Sequence, residues 1–372
     1  MVRLGAMGDI LHALPAVTAL RLAHPTWQIG WVVDPRWQAL LSAGVGGQVS
    51  GVSEQGSEIG DQGTEISAVR GPAMPLRDSA MPVIDRLHFA STRAWKRRPL
   101  TVKTAAEINA LRRELRAANY DAVVDLQGAI RSAAIVRLAG CPRRIGEAKP
   151  REWPAQWLFT ERVRTHGAHV IEQDVELASA VAGEALEPAL PLLPVDPEAE
   201  RWCDAWLAQS FAGEPRPIAL IAPGAGWGAK RWPPERYAVV AEGLKQRGFH
   251  VLANAGPGEE HLAAPISAGG AALPLTTTLP QLIALTRRIT LCIAGDTGPL
   301  HLACALGRPV VGIYGPTDPS RNGPFATRAK VLRSPTSRRD HSRRAAPDPG
   351  LLTIAPQDVL RAADELLAEV RK

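Results

Sequence analysis

Ile218-Ala219-Leu220-Ile221-Ala222-Pro223-Gly224-Ala225-Gly226-Trp227-Gly228-Ala229-Lys230-Arg231-Trp232-Pro233-Pro234 runs five apolar residues into a turn with three glycines and two cations, then into a proline-opened helix. An apolar run bounded this way reads as a buried parallel strand handing over to a helix. The pattern repeats outward. Toward the carboxyl end, strands are expected at 250–254, 290–294 and 309–314. Helices are expected at 234–246, 259–267, 279–287, 298–306 and 356–370. Toward the amino end, strands at 1–4, 28–33, 83–89 and 122–125 alternate with helices at 10–22, 36–42, 103–119 and 129–138. The helix at 10–22 reads as amphipathic. Strand–helix alternation on this scale predicts an α/β protein with parallel, doubly wound sheets.

The 372 residues suit two domains. We expect a first domain at 1–190, a linker at 191–216, a second domain at 217–355 and a terminal helix at 356–372. Prolines crowd 184–217, which also holds a short Trp-containing helix at 199–210. The stretch 44–80 is rich in Gly, Ser, Gln and Glu and reads as a flexible surface insertion. A basic loop is expected at 338–350. Two α/β halves leave a cleft, where ligands bind at the carboxyl ends of parallel strands.

Composition excludes several classes. With 45% hydrophobic and 22% charged residues the chain is not a disordered one. Gly 33 and Pro 32 follow no collagen-like period. Cys141, Cys203, Cys292 and Cys304 are too far apart for a C-x-x-C zinc or redox motif. No apolar run reaches the ~20 residues of a membrane span. No signal-peptide core follows Met1, so a cytoplasmic protein is expected. The net charge of +6 is concentrated: from Arg86 to Arg116 nine bases meet only Glu107 and Glu114. The dense run 93–98 contains Arg93, Lys96, Arg97 and Trp95. It suits an anionic substrate, a nucleic acid or a lipid head group.

Four loops after strands are candidates for chemistry. In Gly5-Ala6-Met7-Gly8-Asp9, Asp9 is either a first-turn helix acid or a general base at the cleft edge. In 223–234, glycine amides with Lys230 and Arg231 suit phosphate oxygens, or form a turn with solvated cations. In Gly295-Asp296-Thr297-Gly298-Pro299-Leu300-His301, a helix start suits an anion, or Asp296 or Thr297 is simply its cap. His301 lies one turn on from Thr297. The fourth, 315–319, is a turn. A dinucleotide oxidoreductase is disfavoured because neither half carries G-x-G-x-x-G. A nucleic-acid module is disfavoured because the basic run holds one tryptophan and no stacking pattern.

Taken together the loops resemble the lipopolysaccharide heptosyltransferases, glycosyltransferase family 9, and most of all the heptosyltransferase I type. The resemblance rests on 3–15, 31–34, 119–128, 222–225 and 230–233, and most specifically on Asp296-Thr297-Gly298-Pro299-Leu300-His301-Leu302 with 314–319. It implies a GT-B fold, two Rossmann-like domains facing a central cleft, and an inverting transfer of heptose from ADP-heptose to Kdo of the lipid A inner core. Asp9 is then the base, and Lys230 with the Thr297 and Gly298 amides steadies the departing ADP. Gly226, Glu259 (or Glu260, at the ribose), Asp296 and His301 complete the donor site. Asp296 is expected to orient donor hydroxyls or the helix start. Arg93, Lys96, Arg97, Gln127 and Arg131 face the acceptor. No metal or cofactor is required, with Mg2+ at most a stimulant. The partners implied are the donor, Kdo-lipid A and a transient contact with the inner leaflet of the inner membrane, without nucleic acid. Two departures stand out. Only Met1 to Leu4 precede the first glycine loop, so either an upstream start or a short central strand is expected. The lysine loop looks closer to the heptosyltransferase II type.

Overall fold

The computed structural model describes residues 1–42, 82–212, 214–340 and 344–370. The expected insertion at 44–80 lies outside the described residues.

The amino-terminal half contains α1 (Met7–Ala23), β1 (Gly30–Val33), β2 (Arg86–Phe89), α2 (Thr92–Arg97), α3 (Val102–Ala117), β3 (Ala122–Val124), α4 (Ile130–Leu138), β4 (Arg143–Glu147), β5 (Glu161–Val163) and α5 (Val170–Ala182). β1 pairs with β2, and β3, β4 and β5 pair in that order, all parallel. Residues 1–4 lie between the two sets. Val2 bridges Val32 on one side and Asp125 on the other, both parallel. Its N–H donates to Val124 O at 2.9 Å, and the Arg3 N–H donates to Val32 O at 3.2 Å. Both edges of this short central segment are thus paired. The basic run after β2 forms the helix α2. Trp95 Nε1 donates to Glu107 of α3 at 2.7 Å and anchors it.

α6 (Pro197–Phe211) follows the proline-rich stretch. The carboxyl-terminal half then contains β6 (Ile218–Ala222), α7 (Pro234–Gln246), β7 (His250–Ala255), α8 (Glu260–Ser267), β8 (Leu273–Thr276), α9 (Leu279–Thr286), β9 (Leu291–Gly295), α10 (Gly298–Ala305), β10 (Val310–Tyr314), α11 (Pro319–Asn322), β11 (Ala329–Arg333) and α12 (Pro356–Val370). The sheet order is β11-β10-β9-β6-β7-β8, and every pairing is parallel. The chain winds from β6 through β8 in one direction, then returns to β9 on the other side of β6. The crevice lies where that direction reverses, between the loops after β6 and β9. The amino-terminal half reverses likewise, between the loops after residues 1–4 and after β3.

α1 corrects one expectation. It reads as amphipathic, yet Met7 and every residue from Ile10 to Arg21 are buried. The reason is its position: α5 covers one side and α10 of the other half covers another. A helix enclosed in this way needs apolar residues all round. One core cluster accordingly runs from Ile10, Leu14 and Trp31 through to Leu220, Leu282 and Leu300.

Candidate active site

Lys230 ends a single 3-10 turn, Gly228–Lys230. The turn is held from outside: the Ala229 N–H donates to Arg344 O at 3.0 Å, and the Asp348 N–H donates back to Ala229 O at 3.1 Å. Gly228 packs against the Ala345 carbonyl with no room for a Cβ. Lys230 Nζ points across the crevice to the loop after β9, where it pairs with the Asp296 carboxylate and lies 3.4 Å from the Asp296 carbonyl oxygen. It also stands 4.3 Å from the centre of the Trp227 ring.

Asp296 is buried and has two side-chain partners, Lys230 and His301. His301 Nε2 lies 2.9 Å from its Oδ1. Burial alone would raise its titration. The hydrogen bond from His301 and the charge of Lys230 outweigh that and hold the carboxyl well below the usual range. His301 Nδ1 faces His12 Nε2 of α1 at 3.2 Å. Burial first, and then the cost of placing a further charge beside His301, His169 and Arg3, holds His12 well below its ordinary titration, so His12 is neutral. The bonding pattern assigns the tautomers: His301 gives Nε2–H to Asp296 and accepts from His12 Nε2–H at Nδ1. His169 stands edge-on to His12, with ring centres 5.5 Å apart, and donates to Gly323 O at 3.0 Å. A polar chain thus crosses from Lys230 in one half to His12 in the other.

Asp296 caps nothing. Thr297 is the N-cap of α10 but makes no side-chain capping bond. Its Oγ1 is buried without a partner, beside the unpaired N–H groups of the first helical turn. That is a site built to receive an acceptor-rich group such as phosphate. A Cβ at Gly226 would meet nothing, so this glycine borders open space. Glu259 lies against Gly224 and is 3.5 Å from Arg231. Glu260 turns away and accepts the Gly258 N–H at 3.0 Å. Of the two acids, Glu259 faces the glycine loop.

Across the crevice, Asp9 is an acid of the first turn of α1. Its Oδ2 accepts the Ala6 N–H at 2.8 Å, and its Oδ1 lies 3.6 Å from Arg3. Its side chain is nevertheless 43% exposed and open to a substrate. Gly8, its neighbour, packs directly on His301: a Cβ there would come within 2.7 Å of the imidazole. Gly298 likewise packs on Met7: a Cβ there would come within 2.5 Å of Sδ. Two glycines, at the starts of α1 and α10, let the halves touch.

The acceptor candidates separate. Gln127 is buried, and its Oε1 accepts the Leu4 N–H at 2.9 Å. Its carbonyl is committed to bracing the Asp9 loop, not left to meet a ligand. Arg93 stands near Asp34, which is clasped by Arg36 with two contacts of 2.8 Å. Lys96 and Arg97 are exposed on α2, and Arg131 is exposed in the first turn of α4.

Sequence reasoning passed over His12, Arg3 and Trp227. A signal existed for His12: it lies one turn after Asp9 inside an otherwise apolar helix, where a polar residue needs a partner. No spacing rule links His12 to His301, 289 residues away.

The glycosyltransferase family 9 (heptosyltransferase) model matches residues 108–348. Lipopolysaccharide heptosyltransferase 1 of Escherichia coli K12 is 27% identical over 355 residues, covering 90% of this chain and 93% of that protein. Lipopolysaccharide heptosyltransferase 2 of Salmonella typhimurium is 30% identical over 289 residues, 71% of this chain and 81% of its own. Among solved structures, E. coli heptosyltransferase WaaC with ADP superposes with a TM-score of 0.72 at 24% identity, covering 98% of both chains. E. coli ADP-heptose lps heptosyltransferase II gives 0.71 at 22%, covering 100% of this chain and 98% of that one. The fold is therefore GT-B, as the resemblance implied.

Proposed function

The chain belongs to glycosyltransferase family 9, and from that premise we propose that it moves heptose from ADP-heptose to Kdo of the lipid A inner core, with inversion at the anomeric carbon. The observation that carries the reading is the contact of Gly8 with His301. It sets an exposed carboxylate, Asp9, beside the loop best suited to a diphosphate.

In this reading Asp9 takes the proton of the acceptor hydroxyl as that oxygen attacks the anomeric carbon. The bond to ADP breaks through an oxocarbenium-like transition state. Negative charge grows on the departing phosphate, met by Lys230, the Thr297 hydroxyl and the Thr297 and Gly298 amides. Asp296 stays off the phosphate, since two anions repel; it positions Lys230 and His301 instead. Glu259 takes the ribose, and Gly226 leaves room for the nucleotide. Arg93, Lys96, Arg97 and Arg131 meet the acidic acceptor. The reading needs no metal, with Mg2+ at most a stimulant, and EDTA in the assay checks this. Among the described residues no helix is long and apolar enough to cross a membrane. The reading places the enzyme at the cytoplasmic face of the inner membrane.

Incubation with ADP-heptose and deacylated Kdo-lipid A, followed by mass spectrometry, should show a gain of one heptose. The 30% identity to a heptosyltransferase 2 supports a second reading. Under that one, a heptosylated acceptor gains the sugar and the Kdo acceptor does not.

A further inference from the structure

All strands of the amino-terminal half are parallel, so the loops that follow them lie at one end of the sheet. Asp9 is at that end, and so are the segments 90–103, after β2, and 148–158, after β4. Their surface is unusual in two respects. It carries large apolar side chains in water: Leu100 is 98% exposed, Val102 87%, Trp153 61% and Trp157 62%. Trp153 and Trp157 sit on one 3-10 turn with ring centres 4.7 Å apart. It is also strongly basic. Residues 90–103 include five cations and no acid. Lys149 and Arg151 precede the tryptophans, and Glu152, the single acid of 148–158, is occupied in accepting the Ile130 N–H at 2.9 Å.

We propose that this end of the amino-terminal half docks on an anionic lipid bilayer, with Leu100, Val102, Trp153 and Trp157 seated at head-group level and Arg98, Lys103, Lys149 and Arg151 on lipid phosphates. Tryptophan prefers the interface because its ring is apolar and its N–H stays wet. Lysine and arginine stems extend to the head groups while the apolar residues enter. Each cation near an anionic surface is worth about fivefold in affinity. Scattered exposed apolar residues need no explanation, but here two aromatics and two aliphatics share one end with two segments of net positive charge. The Asp9 loop lies at the same end, so docking would bring a membrane-anchored sugar toward the base without leaving the bilayer. That consequence rests on the acceptor assigned above; the docking itself does not.

The test uses the full chain and two kinds of vesicle, phosphatidylcholine alone and phosphatidylcholine with about one-third phosphatidylglycerol. Sedimentation should show binding to the anionic vesicles only, falling as salt rises. Tryptophan emission should shift to the blue on binding, and Trp153→Phe with Trp157→Phe should remove most of that shift. Leu100→Ser with Trp157→Ser should lower partition by about tenfold or more. The same variant should melt like wild type and keep its turnover on a soluble, acyl-free acceptor within about twofold. Equal binding to both vesicle types, or unchanged partition of the double variant, would overturn the proposal. So would displacement of the protein from vesicles by a charge-matched single-stranded DNA, which would mark a nucleic-acid surface. Vesicle binding without heptose transfer would uphold the docking surface and count against the enzymatic reading alone.

Discussion

Asp174 lies buried beside Arg3, with 3.8 Å between the charged atoms. Burial pushes its carboxyl up to about 7, and Arg3 only partly opposes this. In the unfolded chain the group ionises near 3.8. Between those values the folded protein keeps a proton that the unfolded chain has released, so this group's contribution to stability falls as pH rises. Asp174→Asn removes the titration. Relative to wild type, the variant should gain stability from pH 3.8 toward about 7, read from thermal melts across that range. A difference that does not move with pH would refute the assignment. Asp9 gives the matching test of chemistry. Asp9→Asn can still accept the Ala6 N–H but is no base, so kcat should drop by about 10²–10⁴ while ADP affinity is kept. Equal turnover in calorimetrically matched samples would remove Asp9 from the mechanism. Asp9 was legible in the sequence because a carboxylate in a glycine loop before a helix is a local pattern. Asp174 was not, because its unusual state comes from distant residues that bury it.

Among elements, α6 shows how far a linker can be read. Its helix was visible from its own sequence, flanked by prolines. Its role was not. Glu200 on α6 binds Arg287 and Arg288 at the end of α9, with contacts of 2.6 and 2.5 Å. Arg287 also donates to the carbonyls of Leu193 and Pro194. Proline-rich chain, α6 and α9 are thereby tied together. Glu200→Ala would leave two largely buried guanidinium groups short of a partner, and we expect a loss of about 1–3 kcal/mol. Glu198, exposed in the first turn of the same helix, should tolerate Gln within about 0.5 kcal/mol. Urea unfolding of both variants makes the comparison, and equal losses would deny Glu200 its bridging role. The strands β4 and β5 and the helix α5 were passed over for a related reason. β4 and β5 are short and partly polar, and only pairing with neighbours makes strands of them.

At the scale of the molecule, the two halves meet through glycine. Gly8 against His301 and Gly298 against Met7 leave no space for a methyl group. Gly8→Ala should therefore wedge the loops apart. We expect turnover to fall by about tenfold or more, because reacting groups tolerate little displacement, with ADP binding retained by the second half. Gly226→Ala, which meets nothing, should leave the melting temperature unchanged. An active Gly8→Ala enzyme would mean that this contact does not set the catalytic geometry. By itself the sequence determined the α/β class, the loops after β6 and β9, and the phosphate-suited chemistry of Lys230, Thr297 and Gly298. Those are properties of short stretches, where an apolar run, a glycine turn and a helix start are written side by side. Only the tertiary structure decided that Asp296 holds Lys230 and His301, that Gln127 braces the Asp9 loop, and that α1 is enclosed by both halves. Each depends on groups far apart in the chain, brought together because parallel strands deliver their loops to one end of each sheet and the packing of α1 on α10 joins the two halves.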